Sequence, residues 1–268
     1  MVAVSLVLVA TTLVVLGVGS IRARNAPSRA TAEATAFAVS APGIMTAALV
    51  SSLVLGSVAL VAARAQTHDV RARLRLGPTR ASGAGVTATI VGMAGLSLAS
   101  GAASELLGGR ERGAMGLIAH SLEHPTPGRL LIAIATIAIA PGVAEESFFR
   151  GLLQTRLTAR WGRRASIPVT ALGFGLMHFD LVQGVVAFVA GLFLGWVAER
   201  FDGIRPGIAA HACNNTAFVV LASFGSATES ARDVDLSVVA AGLAAWVGAT
   251  ALIRSRFAVR DGAPSLRQ

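Results

Sequence analysis

Residues 129–157 read RLLIAIATIAIAPGVAEESFFRGLLQTRL, an apolar run that carries two adjacent glutamates, Glu145 and Glu146, and an arginine, Arg150. A helix needs about 20 mostly apolar residues to cross a bilayer, and this run exceeds that length. An ionised side chain at bilayer depth costs about 2.5–3.5 kcal/mol or more unless it is paired or faces a polar cavity. The run therefore identifies the solvent of the fold and marks where chemistry concentrates.

Seven more apolar runs surround it, at roughly 2–20, 36–63, 81–101, 165–179, 181–198, 206–224 and 235–253. Of the 268 residues, 54% are hydrophobic and 14% charged, with a mean hydropathy of +0.67. A soluble domain carries about 25% charge. The expected fold is all-α, a polytopic transmembrane helical bundle of about eight helices. Its organisation reads as N-terminal membrane helices with their loops over 1–128, a helical core over 129–253 and a cytoplasmic tail over 254–268. The run at 165–179 is short for a span and nearly touches the next, so the pair is expected to form a tight hairpin or a partly re-entrant segment. Disorder is excluded by hydrophobicity, and a disulfide framework by the single cysteine, Cys213.

The net charge is +9 and the pI about 11.6, and all 23 basic residues are arginine. They fall between the apolar runs rather than along one stripe, which argues for topology and against a nucleic-acid partner. With a cytoplasmic amino terminus, fifteen arginines lie inside: Arg64, Arg71, Arg73, Arg75, Arg80, Arg156, Arg160, Arg163, Arg164, Arg200, Arg205, Arg254, Arg256, Arg260 and Arg267. Seven lie outside: Arg22, Arg24, Arg29, Arg110, Arg112, Arg129 and Arg232. The expectation is a multi-pass protein of the cell membrane with both termini cytoplasmic. Residues 1–20 lack a basic residue ahead of the apolar stretch, so a retained first helix is expected rather than a signal peptide.

Few ionisable residues remain inside the runs. Glu146 and Arg150 are four apart, in the favourable order for a helical ion pair. Glu145 is turned about 100° from Glu146 and is left for another partner. The Pro141-Gly142 pair one turn earlier loosens the helix and opens room for water. Phe174 and His178 share a face on the fifth run, as do His211 and Asn215 on the seventh. Each cluster alone reads as well as packing or interhelical glue. Together, a glutamate, two histidines and an asparagine supply a base for water and donors for a tetrahedral oxyanion. Glu145, His178 and His211 are equally plausible ligands for a divalent metal such as zinc, and the choice between metal and no metal stays open. One difficulty is depth: straight, equal helices leave His178 and His211 about 12 Å apart along the bundle axis.

The pattern Glu145-Glu146-x-x-x-Arg150, Phe174-x-x-x-His178 and His211-x-x-x-Asn215 resembles, in order, that of the CPBP family, the CAAX-protease and bacteriocin-processing membrane endopeptidases, also called type II CAAX proteases or the ABI family. The resemblance implies an eight-helix intramembrane peptidase with a site open to the cytosol. It implies that Glu145 and His178 activate water, that His211 and Asn215 stabilise the oxyanion, and that Glu146 and Arg150 hold the first motif in place, with Phe174 in support. Both a metalloprotease and a metal-free glutamate mechanism are argued for the family. The implied substrate is a membrane-associated protein or peptide, unprenylated in a chain of bacterial character.

Three other readings stand beside it. A non-enzymatic protein of the same fold, serving bacteriocin self-immunity or protein sequestration, would keep the polar cavity for binding. A transporter would use the buried acids and histidines as a proton relay, but no inverted repeat is visible. His120-Ser121-Leu122-Glu123-His124 has the spacing of an inverted-zincin zinc signature. Flanking glycines and prolines make it an interfacial turn instead.

Overall fold

A computed structural model describes residues 2–106, 114–224 and 236–256, which contain helices and no strand. Arg110, Arg112, Arg232, Arg260 and Arg267 of the charge count, and all but the first three residues of the expected tail, lie outside the described residues.

The helices are α1 (Val2–Arg22), α2 (Ala30–Ala38), α3 (Ala41–Arg64), α4 (Val70–Arg73), α5 (Gly83–Leu106) and α6 (Ala114–Ser121). They continue as α7 (Pro127–Trp161), α8 (Arg163–Leu176), α9 (Leu181–Phe201), α10 (Arg205–Ser223) and α11 (Leu236–Arg256). Their starts follow from local sequence. Thr126 caps α7 by accepting from the Arg129 N–H at 3.4 Å, with Pro127 next, where a missing N–H costs nothing. Asp180 caps α9, accepting from the Gln183 N–H at 2.8 Å.

Among the described residues, six helices are long and apolar enough to cross a membrane: α1, α3, α5, α7, α9 and α11. The two expected spans that fall short are α8 and α10. At 14 residues, α8 extends only about 21 Å, less than the roughly 30 Å hydrocarbon core. The 19 residues of α10 include His211, Asn214 and Asn215. The chain is thus a polytopic helical bundle whose two shortfalls are the helices bearing the histidines. The tight-hairpin expectation also holds, since α8 and α9 turn within Met177–Asp180, where Phe179 takes a left-handed φ of 53°.

Small residues let the helices approach. A Cβ at Gly95 would lie 2.7 Å from the Gly242 carbonyl oxygen, locking α5 to α11. Between α5, α9 and α11, Met93, Leu96, Phe193, Leu194, Val197, Phe201 and Ile253 form a buried core.

Within α7, two π-helical stretches, Ile134–Ile139 and Ser147–Gln154, flank the segment Ala140–Glu146. Proline has no N–H to donate and its ring crowds the carbonyl four residues back, so the wider turn ahead of Pro141 accommodates it without a break.

The depth difficulty disappears because the helices do not begin at one level. Near one end of the bundle, α7 packs against Leu74, whose carbonyl oxygen would lie 2.7 Å from a Cβ at Gly151. The α10 start is tied to that level by Ile204 N–H donating to the Arg75 carbonyl at 3.1 Å. The α7–α8 hairpin extends beyond it, with Thr170 beside Gln154 (3.4 Å) and Phe174 beside Phe149 (ring centroids 5.2 Å). The first two turns of α8 therefore lie outside the level where α10 starts.

Candidate active site

The segment Glu145–Arg150 brings three charges to the interior of the bundle. Glu146 Oε1 accepts from Arg150 Nη1 at 2.7 Å, and both side chains are 1% exposed. This is the ion pair expected from their spacing. The same Oε1 lies 3.1 Å from His211 Nδ1 on α10. A carboxylate only accepts, so the proton of this bond sits on Nδ1. Arg150 also donates through Nη2 to the Gly191 carbonyl on α9 at 3.3 Å, and its guanidinium stacks 4.6 Å from the centroid of Phe174 on α8.

Glu145 and Glu146 were expected to face different neighbours. Instead the imidazole of His211 reaches both, with Nε2 3.8 Å from Glu145 Oε2. That distance is beyond a hydrogen bond but within reach of an ion pair with a protonated ring, so Glu145, 13% exposed, is held only loosely. Two carboxylates flank one imidazole, with one guanidinium behind it.

Phe174 joins the histidines. Its ring lies edge-on to His178 at 5.1 Å and to His211 at 5.9 Å. His178 Nδ1 donates to the Phe174 carbonyl at 2.9 Å. A carbonyl cannot donate, so Nδ1 bears a proton in this bond, and the neutral tautomer compatible with it has Nε2 as the acceptor. Asn215, one turn beyond His211, is half-buried, and its amide makes no hydrogen bond among the described residues.

Glu146, Arg150, Phe174, His178 and His211 thus form one connected set, with Glu145 at its edge and Asn215 one turn away. Sequence reasoning missed the Glu146–His211 bond, because no spacing rule relates residues 65 positions apart. It also missed Gly207, where a Cβ would lie 3.2 Å from Glu146 Oε2; Gly142, expected to open room for water, is instead buried against α10, where a Cβ would lie 3.1 Å from the backbone nitrogen of Ala212. The only sequence signal for Gly207 is a glycine one turn before a motif residue.

For a metal, three ligands have to converge. Among the described residues no three His, Cys, Asp or Glu side chains do so. Glu145, His178 and His211 do not form a three-ligand cradle. The His120-x-x-Glu123-His124 segment is no site either. Its helix, α6, stops at Ser121, before the second histidine. His120 is 84% exposed and pairs with Glu123 at 3.2 Å, and His124 takes a left-handed φ of 47°. This is a turn rather than one helical face.

Residues 127–217 match the family described as Type II CAAX prenyl endopeptidase Rce1-like. This segment, an Rce1-like domain, runs from the start of α7 into α10 and contains every residue of the set above, consistent with a CPBP-family CAAX protease. The six long apolar helices among the described residues and the Rce1-like domain point to a multi-pass membrane protein. No curated protein and no solved structure matches it.

Proposed function

We propose that the chain is an intramembrane endopeptidase that hydrolyses a peptide bond of a membrane-associated protein or peptide by a glutamate-based mechanism. The observation that carries this reading is the connected set itself: one loosely held carboxylate, two oriented imidazoles and an unengaged amide, all within the Rce1-like segment.

Glu145 is the base. It takes a proton from water while His178 Nε2, left as an acceptor, orients the same water. The resulting hydroxide attacks the scissile carbonyl carbon, and the carbonyl oxygen becomes the oxyanion. His211 and Asn215 face that oxygen as donors. With His211 Nδ1 committed to Glu146, the available donor is Nε2–H, so this role requires the imidazolium. The charge is balanced, because Glu145 and Glu146 offset Arg150 and the protonated His211. Collapse of the tetrahedral intermediate breaks the C–N bond, and Glu145 returns its proton to the leaving amine. Glu146 and Arg150 are positioning residues that hold His211 from behind. The concentration of arginines at the end of the bundle where α3, α7, α9 and α11 terminate supports a cytoplasmic location for that end and for both termini.

The test is cleavage of quenched membrane-peptide substrates by purified protein, with and without chelator. Chelator-insensitive cleavage that Glu145→Gln abolishes is the expected result. Cleavage lost with chelator and restored by zinc overturns the metal-free mechanism, and wild-type activity in Glu145→Gln overturns the assignment.

A further inference from the structure

Away from the site, α11 borders an open groove of about 240 Å³ lined by Trp246, Val247, Thr250, Ala251 and Arg254. Trp246 Nε1 and Thr250 Oγ1 are both buried and have no hydrogen-bond partner among the described residues. Thr250 is unlike the other buried helical hydroxyls. Those of Thr89, Ser147, Thr170 and Ser223 donate to the carbonyl four residues back. An indole N–H can only donate, and leaving such a group buried and unpaired costs about 1–3 kcal/mol.

Positive charge lies at the same place. Arg200 on α9 donates through Nη2 to the Arg254 carbonyl, while its Nε is a third buried group without a partner among the described residues. The acids of this end are engaged elsewhere: Glu199 with Arg75 and Arg163, and Asp202 with Arg75 and Arg80. No acid lines the groove among the described residues.

The outer wall is apolar. Leu243 and Val247 are exposed on a membrane-spanning helix and therefore face lipid. Along α11, Thr250 is about 6 Å and Trp246 about 12 Å deeper than Arg254. A charged donor at the rim, neutral donors below it and an apolar wall beneath match the profile of an anionic phospholipid from phosphate to ester carbonyls to chain.

We propose that this groove holds an anionic phospholipid, its phosphodiester at Arg254 and its glycerol ester oxygens accepting from Thr250 and Trp246. The assignment is independent of the peptidase reading. It is tested by native mass spectrometry of the detergent-purified protein titrated with phosphatidylglycerol, with phosphatidylcholine of the same chains, and with inorganic phosphate. Phosphatidylglycerol is expected to stay bound at about tenfold lower concentration than phosphatidylcholine, with phosphate alone not retained. Thr250→Val, which removes only the hydroxyl, and Arg254→Gln should each weaken that retention about fivefold. Equal retention of the two lipids by the wild-type protein, which requires no variant to fold, overturns the proposal. So does undiminished phosphatidylglycerol retention in the folded Thr250→Val/Arg254→Gln double variant, or retention of inorganic phosphate as tight as that of the lipid.

Discussion

Two buried polar clusters sit one turn apart on α7 and are built alike. At the first, Arg150 donates to the Gly191 carbonyl of α9; at the second, Gln154 donates to the Gly195 carbonyl at 3.0 Å. Glycine at both α9 positions makes room, since a Cβ would lie 3.3 Å from Arg150 Nη2 or 2.7 Å from Gln154 Oε1. Each cluster also contains a glutamate. Around Gln154 that acid is Glu199, and both its oxygens are taken, Oε1 by Arg75 at 2.8 Å and Gln154 at 2.9 Å, Oε2 by Arg163 at 3.0 Å. Around Arg150 the bonding is incomplete. Glu146 Oε2 is buried without a partner among the described residues, Glu145 stands 3.8 Å from His211, and the Asn215 amide is unengaged. A satisfied network fixes structure, whereas groups left short of partners are available to a substrate and to water.

The contrast can be broken at either cluster. Glu145→Gln should lower peptide cleavage by at least about 10²-fold with an unchanged melting temperature, because it removes the base and no close bond. A matching fall in thermal stability would place Glu145 among the structural groups. Arg150→Ala should destabilise the protein by about 3–5 kcal/mol, since it leaves Glu146 charged and buried with only the His211 bond. Denaturation in detergent measures this, and a variant as stable as wild type would remove the structural role from the pair. Glu199→Gln weakens charge-assisted bonds while keeping a polar group in place, so its expected cost is about 1–3 kcal/mol. Specific activity per folded molecule should stay within about threefold of wild type, and a larger loss would extend the catalytic apparatus into the second cluster. The smallest effect belongs to His120→Ala, on an exposed side chain, which should change neither cleavage nor its response to chelator.

Much of the fold was legible because membrane length is written in composition. Runs of apolar residues announced α1, α3, α5, α7, α9 and α11, and the 129–157 run announced the helix that carries the glutamates. Two of the eight runs gave helices outside that set, α8 because its 14 residues are short and α10 because His211, Asn214 and Asn215 interrupt its apolar character. The site was legible as three pairs at helical spacing, each confined to one helix. The Glu146–Arg150 bond, being local, could be read directly. How the pairs meet could not be read, because His211 reaches Glu146 only through the staggered start of α10, the extended α7–α8 hairpin and the open space at Gly207.

The sequence by itself determined that this is a helical membrane protein and which few ionisable residues it keeps among apolar ones, because the cost of charge in hydrocarbon acts on each residue separately. Tertiary structure alone decided what the local Glu146–Arg150 pair meets, and how near Glu145 comes to the same imidazole. Glu146 already has Arg150 one turn away on its own helix, and only the packing of α10 against α7 adds His211 3.1 Å from Glu146 while leaving Glu145 3.8 Å from the same ring, at the edge of the set.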